Sequence, residues 1–70
     1  MDKDKELKKL GETVRKLRTE KKLSQHELSA MCSMNKNYIG MVERGEVNPT
    51  YLVLCSIAHA LKVPTSKLFT

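Results

Sequence analysis

Residues 24 to 45, SQHELSAMCSMNKNYIGMVERG, constrain the fold of this chain more than any other stretch. Two short amphipathic runs stand back to back with only a tight turn between them, and the second ends in Glu43-Arg44-Gly45. Ser24 and Glu27 have the spacing of a capping box. The serine hydroxyl can accept the free amide of Glu27 while the carboxylate reaches back to the amide of Ser24. Leu28 and Met31 follow on the inward side of a helix over about residues 24 to 31, which ends where Cys32-Ser33-Met34 turns the chain. Asn35 is placed to cap the next helix, over about residues 35 to 44, with Ile39 and Val42 toward the core and Gly45 as its stop. Two short helices joined this tightly make a helix-turn-helix, a shape that lays its second helix into the major groove of DNA.

The composition agrees with such a partner. The chain has 70 residues, the size of one small domain spanning 1–70, and carries 13 basic against 8 acidic residues, a formal net charge of +5. That excess attracts polyanions, of which nucleic acid is the commonest. A domain this small buries a modest share of its surface, so dimerisation would add stability.

Aromatic and β-branched alternation is absent, and the rest of the chain also reads as helical. Leu7, Leu10, Val14 and Leu17 recur at helical spacing and give a first helix over roughly residues 5 to 21. Its other face mixes lysine, arginine and glutamate. Thr50 caps a fourth helix whose expected inner stripe is Tyr51, Leu54, Cys55, Ala58 and Leu61, with Ile57 at its border. Val63-Pro64 breaks that helix, and Ser66 to Phe69 form a last turn in which Leu68 and Phe69 close the core.

With these elements placed, the segments LSQHEL, YIGMVERG, NPT and AHALKVPTSKLF together resemble the Cro/lambda-repressor type of helix-turn-helix protein, also called the XRE family. The resemblance covers about residues 10 to 69, and the landmarks fall in the family's order and spacing. It implies an all-α fold, a compact five-helix lambda-repressor-like domain. It also implies sequence-specific binding to double-stranded DNA, with a homodimer on a palindromic operator. A chain this short resembles phage repressors and the small controller proteins of restriction-modification systems.

The resemblance also assigns roles by position. Lys36, Asn37, Tyr38 and Met41 fall at base-reading positions. Lysine can donate to guanine O6 and N7, and asparagine can pair with adenine N6 and N7. Met41 suits a thymine methyl and suits partial core packing equally well. Gln25, Arg44 and Asn48 match positions that touch the DNA backbone, Gln25 beside free amides at a helix start. Gly40 either lets DNA come close or is neutral. Glu43 matches a glutamate that pairs with an arginine of the first helix, here Arg18, giving both a structural role; the rival reading sets Arg18 on phosphate. The chain departs from the family pattern where Ser33, Lys22 and Lys62 replace common glycines, where Pro64 replaces a common serine cap, and where Ser29 replaces alanine. A serine or lysine in a left-handed turn costs on the order of 1 kcal/mol.

Leu52 and Val53 stand where the family is polar. Exposed apolar side chains in a small protein suggest a partner surface. With Val63, Leu68 and Phe69 they outline a two-fold dimer interface that would set two recognition helices about 34 Å apart, one turn of DNA.

Other classes of function find little support. His26, His59, Cys32 and Cys55 have no zinc-ligand spacing, the glycines make no phosphate loop, and no carboxylate pair suggests a catalytic cleft, so neither an enzyme nor a metal or other cofactor is expected. No apolar run reaches the length of a membrane span or signal peptide. The sparse cysteines, in no disulfide-like pattern, suit a reduced, cytoplasmic setting. The leading reading is a dimeric transcriptional regulator. The alternative is an interaction module of the same fold that recruits a protein such as RNA polymerase or a toxin. A third is a DNA-binding domain detached from a larger protein, against which the end at Thr70 counts.

Overall fold

The computed structural model describes residues 1–70. Four α-helices and a short terminal 3-10 turn make up the chain, without strands: α1 Lys3–Glu20, α2 Gln25–Met31, α3 Tyr38–Glu43, α4 Tyr51–Ala60 and the turn Thr65–Phe69. α1 starts earlier than its apolar stripe suggests because Asp2 caps it, accepting the amide of Lys5 at 3.2 Å. Asp4 and Glu6 then sit in the first turn, where the helix dipole favours negative charge. α4 starts at the expected cap, with Thr50 accepting the amide of Val53 at 3.3 Å.

The fifth helix implied by the resemblance is only a 3-10 turn. Pro64 holds extended backbone, and the five residues after it wind tightly enough to drive Leu68 into the core. Leu10, Val14 and Leu17 of α1, Leu28 and Cys32, Ile39 and Val42 of α3, Ile57, Ala58 and Leu61, and Leu68 form one buried cluster. Burial of this kind is the main force holding so small a domain together.

Several side chains depart from the sequence expectation. Phe69, expected to close the core with Leu68, is exposed at the chain's last turn. Cys55, expected in the inner stripe of α4, is only half-buried and lies outside the core cluster. Leu68 is fully buried by its own chain and has no surface to offer a dimer partner. Tyr51 is exposed, because the stripe of α4 runs through Leu54, Ile57, Ala58 and Leu61, leaving Tyr51 a turn beyond the core's edge. Met31 is exposed because α2 turns Leu28, Ser29 and Cys32 inward.

α1 crosses the end of α3 at Gly11. A Cβ there would lie 2.5 Å from the carbonyl oxygens of both Val42 and Glu43. Backbone on both sides fills the space, so only glycine permits this approach.

All four helices end the same way. The residue after the cap adopts a left-handed conformation, and two amides fold back onto the last carbonyls. Leu23 and Lys22 close α1 on Arg18 and Thr19, and Met34 and Ser33 close α2 on Ser29 and Ala30. Glu46 and Gly45 close α3 on Met41 and Val42, and Val63 and Lys62 close α4 on Ala58 and His59. Only α3 uses glycine at the left-handed position; Lys22, Ser33 and Lys62 hold φ of 59°, 57° and 60°. These are the positions where the family pattern has glycine. Lysine regains part of the cost because its charge sits at the negative end of the helix dipole.

Candidate nucleic-acid interface

The motif is built around two helix starts. At α2, Ser24 Oγ accepts the Glu27 amide at 3.0 Å and Glu27 Oε1 accepts the Ser24 amide at 2.7 Å, completing the capping box. These two bonds, the one from the Ser24 backbone foremost, hold the Glu27 carboxyl below its usual range.

At α3 the local sequence does something else. Asn35 Oδ1 accepts the amide of Asn37 at 2.9 Å, and the Asn35 carbonyl accepts the amide of Tyr38 at 2.9 Å. This side-chain turn competes with helix over residues 35 to 37. The third helix is therefore Tyr38–Glu43 rather than 35 to 44, and Asn35 does not cap it. Asn37 stands at the cap position in helical backbone geometry, and its side chain makes no capping bond. The cap comes from another helix: the amide of Ile39 donates to the hydroxyl of Ser29, at 3.1 Å and fully buried.

Lys36 and Asn37 consequently sit in the turn just ahead of α3, both exposed. Tyr38 and Met41 are half-buried, and Tyr38 packs against the core. Burial, and next the neighbouring Cys32, push the Tyr38 hydroxyl upward in pKa.

The far end of α3 is braced to both preceding helices. Arg18 grips Glu43 with two bonds, Nε to Oε2 at 2.6 Å and Nη2 to Oε1 at 3.1 Å. Its third nitrogen donates to the Leu23 carbonyl at 2.8 Å. Gln25 Nε2 donates to Glu43 Oε1 at 3.0 Å. The pair is largely out of water, the Glu43 side chain being 3% exposed, and the bond to Glu43 raises the Arg18 pKa. Gln25 thus spends one amide hydrogen inside the protein and keeps the other free. The link from Gln25 to Glu43 has no local signature in the sequence, since it joins residues from two helices.

Gly40 is buried rather than open. A Cβ there would meet Gln25 Oε1 and Arg44 Nη1, each at 3.1 Å, so these two side chains converge over the glycine. Arg44 lies back along the surface and pairs with Glu46, Nε to Oε2 at 2.8 Å and Nη2 to Oε1 at 3.2 Å. That contact raises the Arg44 pKa and lowers that of Glu46. Both side chains remain about half exposed, so the pair holds Arg44 only loosely. Asn48 is exposed in the loop after α3.

At the proposed interface, Leu52 and Phe69 are exposed while Val53 and Val63 are half-buried. Cys32 is a buried free thiol whose pKa rises with burial, and Cys55 is a half-buried one. No three His, Cys, Asp or Glu side chains gather where they could hold a metal ion, and no helix is long and apolar enough to cross a membrane.

The chain is similar to known proteins in sequence and fold. A family model described as "Helix-turn-helix" matches residues 14–68. An uncharacterised HTH-type transcriptional regulator of Sinorhizobium fredii is 38% identical over 61 residues, 87% of this chain and 79% of its own length. The control protein C.SmaI of Serratia marcescens is 41% identical over 61 residues, again 87% of this chain and 73% of its own length. In three dimensions, the restriction-modification controller protein C.AhdI from Aeromonas hydrophila superposes with a TM-score of 0.88 at 38% identity, over 90% of this chain and 96% of that one.

Proposed function

The chain belongs to the helix-turn-helix family of transcriptional regulators, of the Cro/lambda-repressor type, and from that premise we propose that it binds a palindromic DNA operator as a homodimer. The family acts by binding DNA and not by catalysis. The observation that carries the reading is the exposed pair Lys36 and Asn37, set in the turn just ahead of a short α3 that is fastened at both ends to the rest of the fold.

In this reading α3 and the turn before it enter the major groove. Lys36 and Asn37 reach base edges, while Tyr38 and Met41 add apolar contact with the groove wall. Gln25 uses its free amide hydrogen on a phosphate, and Asn48 and Arg44 hold the backbone on either side. Arg44 exchanges Glu46 for phosphate when DNA arrives. Phosphate contacts supply most of the affinity and make it fall steeply with salt; the base contacts set sequence choice. Leu52, Val53, Val63 and Phe69 form the two-fold contact, with Leu68 supporting them from inside. The protein works in the reducing cytoplasm. The relatives named as controllers of restriction-modification point to control of such genes.

Selection of binding sites from random DNA at several salt concentrations tests this. The expected result is a palindromic consensus with a steep salt slope, and Lys36→Ala relaxes the choice at one base pair in each half-site. The exposed Leu52, Met31 and Phe69 favour a second reading, in which the same bundle recruits a protein such as RNA polymerase. Flat selection with weak, salt-sensitive binding would favour that one.

A further inference from the structure

Ser29 closes the turn of the motif from both sides. Its carbonyl accepts the amides of Cys32 at 3.1 Å and Met34 at 2.9 Å, where the chain leaves α2. Its hydroxyl accepts the amide of Ile39 at 3.1 Å, where the chain joins α3. Ser29 is fully buried and so is Ile39, so no water can take over that amide. α3 has no capping side chain of its own, and at six residues it cannot persist without outside support.

We propose that Ser29 is a positioning residue for DNA recognition, one that sets where Lys36 and Asn37 stand relative to α2. This rests on the DNA-binding reading above. Without the hydroxyl, the first turn of α3 has a buried donor with no acceptor, and the chain ahead of it gains freedom. Phosphate contacts tolerate such freedom better than bidentate contacts to bases. Ser29 therefore governs the ratio of specific to nonspecific affinity more than either affinity alone.

The test compares Ser29→Ala, which keeps the Cβ and removes one oxygen, with Ile57→Val, a core change in α4 that lowers global stability and leaves every hydrogen bond of the motif in place. Amide exchange by NMR and affinity for the selected operator against a random duplex are measured on all three proteins. In Ser29→Ala the Ile39 amide exchanges about tenfold faster relative to amides of α1 and α4. The ratio of specific to nonspecific affinity falls about three- to tenfold, with nonspecific binding unchanged. Ile57→Val leaves both readouts in step with its global stability. Ile39 exchange that follows the whole chain in Ser29→Ala, or an unchanged affinity ratio, overturns the proposal. Wild-type protein without sequence preference overturns the DNA-binding reading and with it the specificity role, while Ile39 exchange still decides whether Ser29 holds α3.

Discussion

The two helices of the motif begin in opposite ways. α2 supplies its own start, a serine and a glutamate three residues apart that satisfy each other's backbone. α3 has no such pair, and its fixed points come from elsewhere: Ser29 of α2 at one end, Arg18 of α1 and Gln25 of α2 at the other. A helix with local caps can form early and survive partial loosening. A helix held by its neighbours exists only when the neighbours are in place. The element that would meet DNA is thus the one whose shape depends most on the whole fold.

Breaking the brace at the far end of α3 is expected to have the largest effect. Glu43→Ala leaves Arg18 without its carboxylate in a nearly dry site and should cost about 3 kcal/mol or more, read by urea unfolding. Arg18→Ala should cost a similar amount. A well-folded Arg18→Ala protein that has lost only DNA affinity would instead set Arg18 on phosphate. Next comes the crossing of α1 over α3: Gly11→Ala forces backbone against backbone at Val42 and Glu43 and should cost about 2 kcal/mol. Its signature is loss of protection in α3 ahead of α2.

Ser24→Ala sharpens the comparison from the other side. Loss of a local cap should cost about 1 kcal/mol while leaving the ratio of specific to nonspecific DNA affinity where it was. The smallest effect concerns acid. Because the folded state lowers the Glu27 pKa, that group adds stability above the unfolded carboxylate value of about 4.3 and loses it as pH falls through the lower folded value. Wild type should therefore be more stable than Glu27→Gln at neutral pH, and thermal melts of the two should draw together as the solution is acidified below the carboxylate range.

What was legible in the sequence follows the same division. Ser24 with Glu27, and Thr50 with Val53, act over three residues, so their spacing announces them. The left-handed ends at Lys22, Ser33 and Lys62 stand where the family pattern has glycine. Arg18 and Glu43, far apart in the chain, were visible only through the resemblance. Gly11 against Glu43, Gln25 on Glu43 and Ser29 on Ile39 join separate helices through single atoms, and no periodicity encodes them. The start of α3 departs from its sequence expectation because Asn35 can cap a helix or make a turn, and its neighbours decide between them. Tyr51 faces outward against its sequence expectation because apolar spacing fixes a helix face only to within about one residue.

The left-handed residues at three helix ends also bear on how long a molecule lasts. Set against glycine, each costs a net amount of about 0.5 kcal/mol, once glycine's own freedom in the unfolded chain is counted. Together they raise the unfolded population about tenfold. Where a protease cuts more slowly than the chain recloses, degradation follows that population. In that regime, replacing Lys22, Ser33 and Lys62 by glycine should lengthen the proteolytic lifetime by about the same factor.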